Sequence, residues 1–81
     1  VEVEGHTDDV PIHTEKYPSN WELSSVRATN IVKYLLAQGI EKERLKAAGY
    51  ADSRPKEGID NLPLNQQRQG NRRVVVFVKR Y

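Results

Sequence analysis

The sequence predicts an α/β domain in which one long helix covers one face of a small sheet. Three observations predict it. The chain opens in strict apolar/polar alternation, Val1-Glu2-Val3-Glu4, the mark of a half-buried strand. Between Ser19 and Gln38 the apolar residues recur with a helical period. Near the end, Arg73 to Lys79 reads Arg-Val-Val-Val-Phe-Val-Lys, which is β-branched and apolar on both faces and fits a central strand buried on both sides.

Taken in order, the first strand covers residues 1–5 and ends at Gly5. Residues 6–19 form a polar loop punctuated by Pro11 and Pro18. Loops of this length are uncommon in a small domain and more often functional than accidental. Ser19-Asn20-Trp21-Glu22 has the spacing of a capping box, so a helix runs over about residues 20–38 with Gly39 as its stop. Trp21, Ala28, Ile31, Val32 and Leu35 cluster on one side and form its core stripe. Glu41 to Arg44 can make one more turn, and Leu45 to Tyr50 a second strand. Residues 51–64 are loop, broken by Arg54-Pro55 and Gly58, and Asn65 to Gln69 suit a short helix. The last strand covers about residues 73–80. One helix over three strands leaves a sheet face open, yet Val74 to Val78 offer apolar side chains to both faces. The pattern therefore predicts a partner for that strand: an upstream strand and helix, or another chain.

At 81 residues the chain is one domain, spanning residues 1–81, with a thin core. It has no cysteine, so neither disulfides nor thiolate metal sites can support it. No apolar run approaches the roughly 18 residues a membrane span requires. Thirteen Lys and Arg oppose eleven Asp and Glu. Arg68, Arg72, Arg73, Lys79 and Arg80 gather near the end, while Glu2, Glu4, Asp8 and Asp9 gather near the start. Charge segregated in this way reads as solvated surface rather than as the basic face of a nucleic-acid binder.

Asn20, Ser24 and Arg27 stand at i, i+4 and i+7, within about 60° of one another on one flank of the core stripe. A capping turn with a border arginine accounts for them; so does a binding site. Gly5-His6-Thr7-Asp8-Asp9 adds two carboxylates after a strand's C-terminal end, a usual place for sites in α/β folds. A carboxylate opposite an arginine, with amide and hydroxyl groups between, can grip a zwitterion at both ends. The alternative for Asp8 is a loop cap, and Asp9 reads as a solvated charge. His6, Asp8 and His13 are the only candidate metal ligands, irregularly spaced in one loop, so neither metal nor cofactor is expected. No nucleophile–base pair suggests itself, and the domain reads as non-catalytic.

Four ordered blocks carry a family resemblance: Gly5-His6-Thr7-Asp8; Asn20-x-x-Leu23-Ser24-x-x-Arg27-Ala28; Gly49-Tyr50; and Arg68-x-x-Asn71-Arg72-Arg73-Val74. Together they resemble the signature of OmpA/MotB-type peptidoglycan-binding domains. The wider block Val10-Pro11-Ile12 with Tyr17-Pro18-Ser19-Asn20-Trp21-Glu22-Leu23-Ser24-Ser25 is similar to the flagellar-stator branch of that family.

The resemblance implies a two-layer α/β (α+β) fold with a mixed sheet, here expected to lack the family's first strand and helix. It implies non-covalent binding of peptidoglycan through the diaminopimelate of the stem peptide, anchoring a flagellar motor stator, or more generally a cell-envelope protein, to the wall. Asp8 would meet the ligand ammonium, Arg27 its carboxylate, Asn20 would orient it, and Arg72 would form a positive wall, with Thr7 and Ser24 in support. Further implications are an extracytoplasmic location, membrane anchoring by a segment outside this chain, a MotA-like channel subunit as partner, and a homodimer. Nucleic acid is not an expected partner. Two departures stand out. Gly49-Tyr50-Ala51-Asp52 replaces the usual Gly-Tyr-Gly-Glu and is expected to lie away from the pocket. Gln66-Gln67-Arg68 replaces Glu-Gly-Arg, leaving Arg68 without its acidic neighbour.

Overall fold

The computed structural model describes residues 1–78. Strand β1 (Glu2–His6) is followed by helix α1 (Asn20–Ala37), a 3-10 turn (Lys42–Arg44), strand β2 (Lys46–Gly49), helix α2 (Leu64–Asn71) and strand β3 (Arg73–Phe77). The sheet order is β2-β1-β3, with β1 parallel to β2 and antiparallel to β3, so the sheet is mixed as the resemblance implies. The expected strand over 73–80 holds through Phe77; Lys79 and Arg80 lie outside the described residues.

Two strand expectations need correction. Gly5 does not end β1, which continues through His6. β3 is not central: it is an edge strand, and the central position belongs to β1. Helix α1 packs on β1 and β2. Val3 and Val76 are register partners on the helix side, yet Val3 is wholly buried while Val76 remains 46% exposed. Val74, Phe77 and Val78 are exposed too, so the apolar run at β3 reflects an uncovered edge rather than a buried centre.

Helix α1 begins as the capping box predicts. Ser19 is extended, its Oγ accepts from the Trp21 N–H at 3.2 Å, and it bonds to the Glu22 carboxylate. Gly39, at φ +97°, ends the helix in the conformation that glycine adopts without strain. The core stripe is shifted from the expectation. Ala28 is buried and Ile31, Val32 and Leu35 are half-buried, but Trp21 is 54% exposed. In the first turn the deeply buried residue is instead Ser24.

Ser24 can be so deep because the sheet has no side chains beneath it. Gly5 and Gly49 are lateral partners on β1 and β2. A Cβ on Gly5 would stand 2.9 Å from the Ser24 carbonyl carbon and closer still to its oxygen. One on Gly49 would stand 2.8 Å from Ser24 Oγ. The paired glycines bring α1 against sheet backbone, which leaves room for Ser24 but none for an indole. On the opposite face, the His6 ring stacks on Tyr50 at 5.3 Å and Arg54 lies over Tyr50 at 4.1 Å, fastening the loop after β2 to the end of β1.

Candidate ligand-binding site

The loop leaving β1 is held by side chains that the sequence had marked. Thr7 is buried; its N–H donates to Ala51 O at 2.8 Å and its Oγ1 to Asp8 O at 2.9 Å. Asp8 is 8% exposed. Its Oδ1 accepts from the Val10 N–H at 3.0 Å, and its Oδ2 faces Arg72 Nη1 at 3.4 Å. Asp8 is thus a loop cap and an ion-pair partner at once. Asn20, from the first turn of α1, donates through Nδ2 to Val10 O at 3.0 Å and to Asp8 O at 3.4 Å. Ser24 Oγ donates to Trp21 O at 3.1 Å and accepts from the Ala51 N–H at 3.0 Å.

Of the six residues singled out, Thr7, Asp8, Asn20 and Arg72 converge on this loop. Ser24 ties α1 to the start of the next loop. Arg27 is exposed and makes no hydrogen bond or ion pair among the described residues. His6 Nε2 lies 3.2 Å from Glu4 Oε1, and His13 Nδ1 lies 3.2 Å from Pro18 O, so the two rings hold different parts of the chain.

A cleft of about 240 Å³ opens beside the loop, lined by Asp9, Pro11, Ile12, Ser19, Asn20, Trp21, Ala51 and Asp52. Here one expectation is overturned and another is extended. Ala51 and Asp52 do not lie away from the site; they form part of this wall, because the parallel β2 delivers its C-terminal end beside that of β1. Asp9 is exposed, as a solvated charge would be, but it is also paired. Arg68 Nε donates to its Oδ1 at 2.8 Å, and that hydrogen bond, aided by the nearby positive charge, holds the Asp9 carboxyl below its ordinary value. The same contact supplies Arg68 with the acidic partner that its own sequence neighbours lack. Ala51 carries a second signature: it sits at φ +52°, where the family's usual glycine would be unstrained. That departure from Gly-Tyr-Gly was the one sequence signal that could have drawn attention to the wall. The Asp9–Arg68 pair had no local signal.

A mixed sheet under one long helix, with polar side chains gathered where β1 and β2 end, is the architecture of an OmpA-type domain. The chain belongs to the OmpA family, which it matches over residues 1–72. Among curated relatives it is 32% identical over 77 residues to Motility protein B of Bacillus subtilis, covering 94% of this chain and 28% of that protein. It is 30% identical to Motility protein B of Helicobacter pylori over 77 residues, covering 95% of this chain and 29% of that one. The chain thus spans less than a third of the length of these relatives. Among solved structures, the C-terminal domain of Helicobacter pylori MotB superposes with a TM-score of 0.77 at 32% identity, covering 94% of this chain and 55% of that one. The cell wall anchor of the T6SS from Pseudomonas aeruginosa superposes with a TM-score of 0.74 at 38% identity, covering 90% and 49%.

Proposed function

We propose that this domain binds peptidoglycan without chemistry, through the diaminopimelate of a stem peptide, and so anchors a larger envelope protein to the cell wall. The observation that carries the reading is the placement of Asp8. Its buried carboxylate is fixed at the end of β1 by the Val10 N–H, faces Arg72, and stands beside an Asn20 amide bonded to the same loop. Such a carboxylate is pre-organised for an ammonium, and pre-organisation limits the ordering cost of binding. Arg27, exposed on α1, can meet a ligand carboxylate with its planar two-donor fork. Thr7 and Ser24 keep the two loops in register.

The likeness to two Motility protein B sequences supports a flagellar stator as the protein anchored. On that reading the domain works outside the cytoplasmic membrane, paired with a second copy, and is joined through other parts of its protein to a MotA-like channel subunit. The likeness to a T6SS cell wall anchor, and 37% identity over 79 residues to outer membrane porin F of Pseudomonas fluorescens, favour a second reading: a general envelope anchor independent of motility.

Sedimentation with purified peptidoglycan sacculi tests the shared part of both. Wild type co-sediments, while Asp8→Ala and Arg27→Ala stay in solution. Free diaminopimelate competes and lysine, lacking the second carboxylate, does so far less. Equal competition by lysine, or full retention of Arg27→Lys, removes the two-ended grip. Retention on nucleic acid that collapses with salt, and none on sacculi, would instead favour a polyanion binder.

A further inference from the structure

Helix α2 has no buried residue, so apolar packing does not fix its position. Polar side chains do. Gln67 Nε2 donates to Asp60 O at 3.1 Å and to Leu62 O at 2.7 Å, and Asn71 Oδ1 accepts from the Lys56 N–H at 2.7 Å, which ties α2 to the loop before it. Towards the loop after β1 the ties are two ion pairs. Arg68 and Arg72, one helical turn apart, reach the adjacent carboxylates Asp9 and Asp8 at 2.8 Å and 3.4 Å. Two parallel pairs restrict both sliding and rotation of the loop against α2, where a single pair would leave a pivot. Asp9 is also a wall of the cleft, so whatever fixes Asp9 shapes the cleft.

We infer that Arg68 is a positioning residue for the binding site, acting through Asp9 to hold the loop after β1 in its binding shape. Arg68 need not touch the ligand. The pair is exposed, its arginine side chain 36% and its aspartate 58%, so it contributes little to global stability. Its effect is on the order of the loop. The lowered carboxyl of Asp9 fits this arrangement, since the hydrogen bond from Arg68 favours its charged form.

This inference rests on the peptidoglycan reading, and one experiment separates the two. Sacculus binding is measured for wild type, Arg68→Gln, Asp9→Asn and the double variant, with thermal unfolding followed alongside. Arg68→Gln should weaken binding about two- to fivefold, the range an exposed pair supports, with the unfolding midpoint almost unmoved. In the Asp9→Asn background, Arg68→Gln should cause no further loss. The part of the acid limb of binding that comes from protonating Asp9 should also disappear in Arg68→Gln, because without the arginine the charge on Asp9 no longer holds the loop. Binding by Arg68→Gln equal to wild type overturns the inference, as does an undiminished loss on top of Asp9→Asn. If wild type itself fails to bind sacculi, it is the peptidoglycan reading that falls.

Discussion

The hydroxyl of Ser24, wholly buried in the first turns of α1, accepts the backbone N–H of Ala51 at 3.0 Å across 27 residues of chain. It joins the helix to the loop after β2, and Thr7 joins that same Ala51 to the loop after β1. Ser24→Ala leaves the Ala51 N–H buried without an acceptor. The expected loss is about 1–3 kcal/mol, read from urea unfolding. A loss within error would mean the N–H finds water, and that the two loops are not fastened through this hydroxyl.

At Gly5 the sheet comes against the backbone of the helix. A Cβ there meets the Ser24 carbonyl, which is backbone and cannot swing aside. Gly5→Ala should destabilise the fold by about 3 kcal/mol or more, as severe overpacking does. Full-stability folding of Gly5→Ala, with an unchanged spectrum, would show that α1 does not approach this closely.

Ala51 holds a left-handed backbone at φ +52° and is almost fully buried. Glycine there relieves strain of about 1–2 kcal/mol but loses a buried methyl and loosens the unfolded chain, so Ala51→Gly should lie within about 1 kcal/mol of wild type. Ala51→Val adds a β-branch to that backbone and should lose about 2–3 kcal/mol. Denaturation midpoints of the two variants decide it: a large gain for glycine, or tolerance of valine, contradicts the geometry.

Two exposed carboxyls have lowered pKa values: Asp9 through the Arg68 hydrogen bond and Glu22 through the Ser19 hydroxyl of the capping box. A carboxyl lowered by folding stabilises the folded state above its unfolded value, and that contribution disappears as pH falls through the folded value. From the ordinary values of 4.5 for Glu22 and 3.8 for Asp9, stability should therefore decline as pH drops below about 4.5 and stay flat above it as far as these groups are concerned. In Ser19→Ala, the decline should lose the Glu22 share; an unaltered acid limb would remove the hydrogen bond as its cause.

Val76 and Phe77 on β3 are each 46% exposed, and Val78 just after it is 65% exposed. This apolar edge should either bind a hydrophobic dye or be covered by a second copy, as seen by light scattering. Val76→Lys should diminish whichever signal wild type gives. A monodisperse wild-type monomer that leaves the dye dark would show that the edge is covered within the chain.

Sequence alone determined the elements whose signals are local. The capping box at Ser19 and Glu22 and the stop at Gly39 set the limits of α1 almost to the residue, because caps act through bonds within one turn. Apolar alternation placed β1, and the ordered motifs singled out Thr7, Asp8, Asn20 and Arg72, which the tertiary contacts then bring to one loop. Only the tertiary structure decided what depends on distant partners. It put β1 rather than β3 at the centre, because an apolar strand reads alike whether both faces are covered or left open. It exposed Trp21 and buried Ser24, because two glycines from separate strands meet beneath that turn and admit nothing larger. It also paired Asp9 with Arg68 and brought Ala51 and Asp52 into the wall of the cleft. These contacts form through space between residues far apart in the chain, and no local spacing encodes them.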